Sequence, residues 1–137
     1  MSTTVVANTL PITRSLRGAA QAAAARGEPL VVMTSLSGCV YCDVVRQHHL
    51  GPMVRAGQIH AVQIDIQDRK GLIQDFSGQQ VSPADLSRRW NARFAPTVLF
   101  FDGQGREIAE RLVGVAVPDF YGEYLQSRLE QARARLR

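Results

Sequence analysis

Apolar residues fall in short runs and helical stripes, separated by Gly, Pro and polar turns. Leu30-Val31-Val32-Met33-Thr34 is an unbroken run of strand length, which predicts a strand covered on both faces. Ile59 to Ile66 alternates enough for a second strand, and Pro96 to Asp102 forms a third. Gly103-Gln104-Gly105 predicts a hairpin turn into a fourth strand over Arg106 to Leu112. Between these lie helical patterns. Thr13 to Arg26 is alanine-rich and is stopped by Gly27. A second helix runs from Cys39 to about His49, breaks at Gly51-Pro52 and resumes to Ala56. Ser82-Pro83-Ala84-Asp85 reads as a helix start, with Ser82 as cap and Pro83 in the first position, leading to about Asn91. Pro118-Asp119 opens a terminal helix to about Arg135. Its apolar set is Phe120, Tyr124, Leu125, Leu129, Ala132 and Leu136, expected on one buried face. The polar stretch Gln67 to Val81 predicts a loop with a short helical turn around Gly71 to Phe76.

The resulting order is α-β-α-β-α-β-β-α. An early βαβ unit gives a parallel pair, and a late hairpin gives an antiparallel one. The expected fold is therefore α/β, with a central mixed sheet flanked by helices on both faces. Residues 1–12 read as an N-terminal lead-in and residues 13–137 as one domain.

Composition changes this picture little. The chain has 137 residues, is 45% hydrophobic and 20% charged, and carries a net charge of +4. No apolar stretch approaches the roughly 20 residues of a membrane-spanning helix. Basic and aromatic residues do not alternate in a nucleic-acid-binding pattern, so the basicity reads as a solvated surface that favours acidic partners. Met1 to Leu10 has no basic region of a secretory signal.

The chemistry lies in the two cysteines, Cys39-Val40-Tyr41-Cys42, which are the only ones in the chain. They follow the first strand and open a helix. The unpaired N–H groups and dipole of a helix start favour a thiolate, the nucleophile of disulfide exchange. A redox dithiol is the expected reading. A metal site would need two more ligands, and the adjacent His48 and His49 point about 100° apart on a helix. A haem attachment would need His at position 43, where Asp43 stands. A structural bridge closing so short a loop would constrain little of the unfolded chain. Cys39, at the helix start, is expected to attack, and Cys42 to resolve. His48 and His49 are expected at the surface or in packing, Trp90 and Phe94 as core or rim aromatics, and His60 on a strand face with no chemistry of its own.

With these features in place, the chain resembles the thioredoxin-fold thiol:disulfide oxidoreductases. Three matches carry the resemblance: Cys39-Val40-Tyr41-Cys42 after the first core strand, Ala95-Pro96-Thr97 at the start of a late strand, and the hairpin Phe100 to Glu107 followed by Gly114. The resemblance implies a cis bond before Pro96 and a backbone at Ala95 that pairs with an extended substrate. Tyr41 is expected either to tune the sulfurs or join the partner surface, or simply to pack. The Cys-x-Tyr-Cys core and the long segment after it are similar to bacterial periplasmic thioredoxin-like proteins, including those associated with sulfur oxidation. Two departures stand out. The family's usual Trp-Cys-Gly-Pro-Cys is absent, and Met33 stands where the family keeps a buried acid.

The expected activity is reduction of protein or small disulfides through Cys39 and Cys42, without cofactor or metal. The partners implied are a disulfide-bearing protein substrate and a thiol–disulfide electron donor, with no nucleic acid, and the chain is expected to be a monomer. The alternatives are a non-catalytic binding module or a Cys/His metallochaperone. The expected location is the periplasm, with a signal removed; the alternative is the cytoplasm.

Overall fold

A computed structural model describes residues 9–137; the first eight residues of the lead-in lie outside the described part. The continuous apolar run becomes strand β1, Leu30–Ser35, and every residue in it is buried. Strand β2 (His60–Asp65) pairs with it in parallel, and β5 (Thr97–Phe101) pairs with it antiparallel on the other side. Strand β6, Leu112–Val113, completes a four-stranded sheet of order β2-β1-β5-β6.

Helices cover both faces, which is why β1 and β5 are buried throughout and mostly apolar. Val31, Met33, Val98 and Phe100 point to one face and pack with Cys42, Val45 and Leu50. The same cluster holds Leu125, Leu129 and Ala132 of α5, Tyr121–Leu136. Leu30, Val32, Leu99 and Phe101 point to the other face, against Leu16, Ala20 and Ala23 of α1, Leu16–Ala25. Leu86 of α4, Pro83–Arg89, closes that side. Ser15 and Ser82 cap α1 and α4 by accepting from the N–H groups of Gly18 and Asp85. The lead-in also docks: the Gln63 N–H donates to Pro11 O, and Leu10 is buried.

The structure corrects four sequence expectations. The stretch around Gly71 to Phe76 is not helical. It holds strand β3 (Ile73–Gln74), which pairs with β4 (Gln80–Val81) as a small separate hairpin. The Asp75 carboxylate organises its turn by accepting from Ser77 and Gln79.

The helix after the dithiol does not break at Gly51-Pro52. Helix α2, Val40–Val45, passes through a π turn at Arg46–Leu50 directly into α3, Gly51–Arg55. The Gly51 N–H reaches back five residues to Arg46 O, and this wider turn carries the helix past a proline that has no N–H to give.

The returning strand of the late hairpin is interrupted. Glu107 bridges Phe101, but Leu112 lies opposite Val98. Between these pairs two residues on one strand face four on the other, so two extra residues bulge out. In the terminal helix, Tyr121 is buried, whereas Phe120 and Tyr124 are exposed.

Candidate active site

Strand β1 delivers the chain to the dithiol. Gly38 turns it at φ 74°, a left-handed conformation that favours glycine, and Cys39 then caps α2. The Cys39 sulfur accepts the Cys42 N–H at 3.1 Å. Thus the residue that starts the helix uses a sulfur where Ser or Asp usually caps. Cys39 and Cys42 form a disulfide with Cα atoms 5.2 Å apart. The two sulfurs differ in access: Cys39 is partly exposed, whereas Cys42 is fully buried among core side chains.

The loop before β5 supplies the facing wall. The Ala95-Pro96 bond is cis, and the Ala95 carbonyl lies 3.6 Å from the Cys39 sulfur. Among the described residues, no backbone donor–acceptor pair engages the Ala95 N–H. Pro96 is buried, and its carbonyl accepts the Gly114 N–H at 2.8 Å, so the loop after β6 is drawn to the same place. Exposed Val40, Tyr41, Phe94 and Val113 form an apolar rim on these elements.

Thr34 ties the two walls together, a role the sequence reading missed. It is fully buried at the end of β1. Its hydroxyl donates to Phe94 O at 2.8 Å and accepts the Thr97 N–H at 2.7 Å. The Thr97 hydroxyl also donates to Phe94 O. One hydroxyl therefore fixes the Phe94–Thr97 turn to the strand that carries the dithiol. A hydroxyl directly after four apolar strand residues was the available signal, because buried polar groups require partners.

The electrostatics are also more organised than expected. Asp43 does not stand alone near the sulfurs. Its carboxylate pairs with Arg46 at 2.6 Å. Arg46 also donates to Gln63 of β2 and to Ser35 of β1, so one guanidinium joins the helix to both strands. Met33 is fully buried in the same core cluster as Cys42. The two buried aspartates are committed elsewhere, Asp75 in the small hairpin and Asp102 in the late turn. No buried carboxylate thus replaces the one missing at position 33 among the described residues.

His48 is exposed, and His49 packs against the ring of Tyr121 with centroids 5.1 Å apart. Burial, and then the charge of His48, push the His49 pKa below its ordinary value. The Tyr121 hydroxyl is buried without a hydrogen-bond partner, and burial pushes its pKa up. Trp90 packs with Phe76 and Phe101 beneath the small hairpin, whereas Phe94 is exposed. No group of three or more His, Cys, Asp or Glu that could hold a metal ion occurs among the described residues.

Residues 16–128 match the thioredoxin-like domain family over most of the chain. This chain belongs to that family. The thioredoxin-like domain resembles thioredoxin O2 from Arabidopsis thaliana in its oxidised state, with a TM-score of 0.57 and 20% identity over 90% of this chain and 94% of that one. It is also similar to mitochondrial thioredoxin 3 from Saccharomyces cerevisiae, with a TM-score of 0.55 and 18% identity over 87% and 93% of the two chains. Thioredoxin NaTrxh from Nicotiana alata aligns with a TM-score of 0.56 and 16% identity over 94% of this chain and 99% of that one. Identities this low speak for the fold. No curated protein sequence matches the chain. The paired cysteines at the helix start of this fold are consistent with a thiol–disulfide oxidoreductase. No described helix is long and apolar enough to cross a membrane.

Proposed function

We propose that this thioredoxin-like domain reduces disulfides of protein substrates through Cys39 and Cys42. The observation that carries this reading is the unequal access of two sulfurs already joined in one short bridge. In the reduced protein, the Cys39 thiolate attacks one sulfur of the substrate disulfide. A mixed disulfide forms, and the other substrate sulfur leaves and takes up a proton. Cys42 loses its proton and attacks the Cys39 sulfur. The Cys39–Cys42 disulfide forms, and the second substrate thiol is released. Two electrons pass to the substrate, and a thiol–disulfide donor protein returns them.

The surrounding residues have matching roles. The Cys42 N–H stabilises negative charge on Cys39. The free Ala95 N–H and the adjacent carbonyl offer an edge to an extended substrate segment beside the attacking sulfur. Tyr41 and the other rim residues meet apolar parts of the partner. Val40 and Tyr41 add no cation between the cysteines, and this favours a reducing pair over a strong oxidant. The chain acts as a monomer in the bacterial periplasm, among the thioredoxin-like proteins associated with sulfur oxidation. The Cys-x-Tyr-Cys motif and the long helical segment after it support that placement.

A trapping experiment tests the mechanism. Cys42→Ser is expected to accumulate a mixed disulfide through Cys39, and Cys39→Ser almost none. Equal trapping by the two variants would overturn the assignment. The direction is read from the reduction potential of the pair. A value near roughly −270 mV supports a reductase, and one near roughly −120 mV would make it an oxidase.

A further inference from the structure

We infer that the disulfide-bearing partner carries an acidic segment beside its disulfide, and that this segment docks in an arginine-lined groove next to the dithiol. The inference rests on the oxidoreductase reading above.

The groove encloses about 840 Å³, and Ile66, Arg69, Ser82, Asp85, Arg88 and Arg93 line it. Two of its three lining segments, those at Ile66 and at Arg93, run toward the dithiol. The Ile66 N–H donates to Ser35 O at 3.1 Å, four residues before Cys39. Arg93 stands two residues before Ala95, whose carbonyl touches the Cys39 sulfur at 3.6 Å. Consecutive Cα atoms are about 3.8 Å apart, so Arg93 lies within about 8 Å of Ala95 along the chain.

The charge in the groove is unbalanced. Arg88 is paired with Asp85, and Asp85 also pairs with Arg89. Arg69 and Arg93 are exposed, and no ion pair engages either among the described residues. Isolated surface arginines would be a solvated face. Here three guanidiniums line one concavity whose single carboxylate is already shared. A concave wall focuses the field of its charges, and guanidinium forks match carboxylates two bonds at a time. The adjoining cleft, which shares the 65–69 loop and the start of α4 as a wall, has the opposite balance. Gly38 lines it together with Asp43, Asp65 and Asp68, against Arg46. An acidic segment is therefore attracted to the arginine groove and disfavoured in the adjoining cleft.

The test uses two synthetic peptide disulfides that differ only beside the cystine, one with three glutamates and one with three lysines. Neutral bis(2-hydroxyethyl) disulfide serves as the control. For the wild-type protein at low ionic strength, the KM for the acidic peptide should be about tenfold below that for the basic one, with equal kcat. The gap should close as salt screens the exposed charges. In R69E/R93E the ratio of the two KM values should collapse or invert; because a ratio is read, a general loss of activity cancels. Equal KM values in the wild type, or a preference that survives in R69E/R93E, would overturn the groove. So would inhibition by a single-stranded oligonucleotide that exceeds inhibition by a disulfide-free glutamate peptide, since the site would then prefer phosphates. Failure of the wild type to turn over the neutral disulfide would instead refute the oxidoreductase reading, and this inference with it.

Discussion

Replacing Thr34 with valine removes one hydroxyl from the centre of the site while nearly keeping its shape. The structure sets what is lost. The Thr34 hydroxyl accepts the Thr97 N–H at 2.7 Å and donates to Phe94 O at 2.8 Å. Phe94 O keeps a second donor, the Thr97 hydroxyl at 2.7 Å, so it stays satisfied. The Thr97 N–H has no such reserve, and Thr97 is almost fully buried. An orphaned buried donor costs about 1–3 kcal/mol, and that is the expected destabilisation of Thr34→Val. Urea unfolding of the oxidised protein measures it, with the slope of the transition unchanged. Thr34→Ser keeps the hydroxyl and gives up one buried methyl, at about 1 kcal/mol. The two variants should separate further in function. The turn that Thr34 holds places Ala95 O against Cys39, so Thr34→Val should raise KM for a peptide disulfide several-fold, and Thr34→Ser should restore it. A Thr34→Val protein within about 0.5 kcal/mol of wild type would refute the reasoning, because surface-like changes fall in that range. A serine variant as impaired in KM as the valine variant would refute it equally.

Two further outcomes concern the buried carboxylates and the late turn. Burial alone would raise the carboxyls of Asp75 and Asp102. Hydrogen bonds outweigh it: from Ser77, Gln79 and Arg89 at Asp75, and from Arg106 and Gln104 at Asp102. Both carboxyls are thereby held below their ordinary value of 3.8. A depressed carboxyl contributes stability that is complete above its unfolded value and is lost as pH falls from 3.8 through the folded value. Stability should thus drop in acid below about pH 4, and D75N/D102N should show a shallower acid slope in pH-dependent urea unfolding; an unchanged slope would refute the link. Gly105 turns the late hairpin at φ 84°, and a Cβ there would overlap the Phe76 ring, which packs at a tilt against Phe101. Gly105→Ala should cost about 2–5 kcal/mol from backbone strain and overpacking together, read as a lowered thermal midpoint; a loss under about 0.5 kcal/mol would show that the ring moves aside freely.

The sequence by itself determined the frame of this protein. Runs such as Leu30 to Thr34 cannot be left in water, and their length and two-sided apolarity allow little besides a covered strand. Ser82-Pro83 and Gly103-Gln104-Gly105 punctuate the chain through backbone chemistry that acts within a few residues. The Cys39-x-x-Cys42 pair was legible for the same reason, since a cap and its partner one turn later are local. The tertiary structure decided what depends on residues far apart in sequence. The small hairpin at Ile73–Gln74 and Gln80–Val81 was invisible because each strand is two residues long and is fixed by Asp75 and by a bridge to Ser15 before α1. The helix continued through Gly51-Pro52 because a π turn relieved the missing donor, and its apolar face had a core to cover. Phe120 and Tyr124 satisfied the helical period yet stayed exposed, since only the packed position of α5 selects which stripe is buried. Thr34 and Phe94 are separated by 60 residues, as are the arginines at 69, 88 and 93 by smaller gaps. No local pattern announces such meetings, because they arise only when the sheet closes and brings its loops to one end.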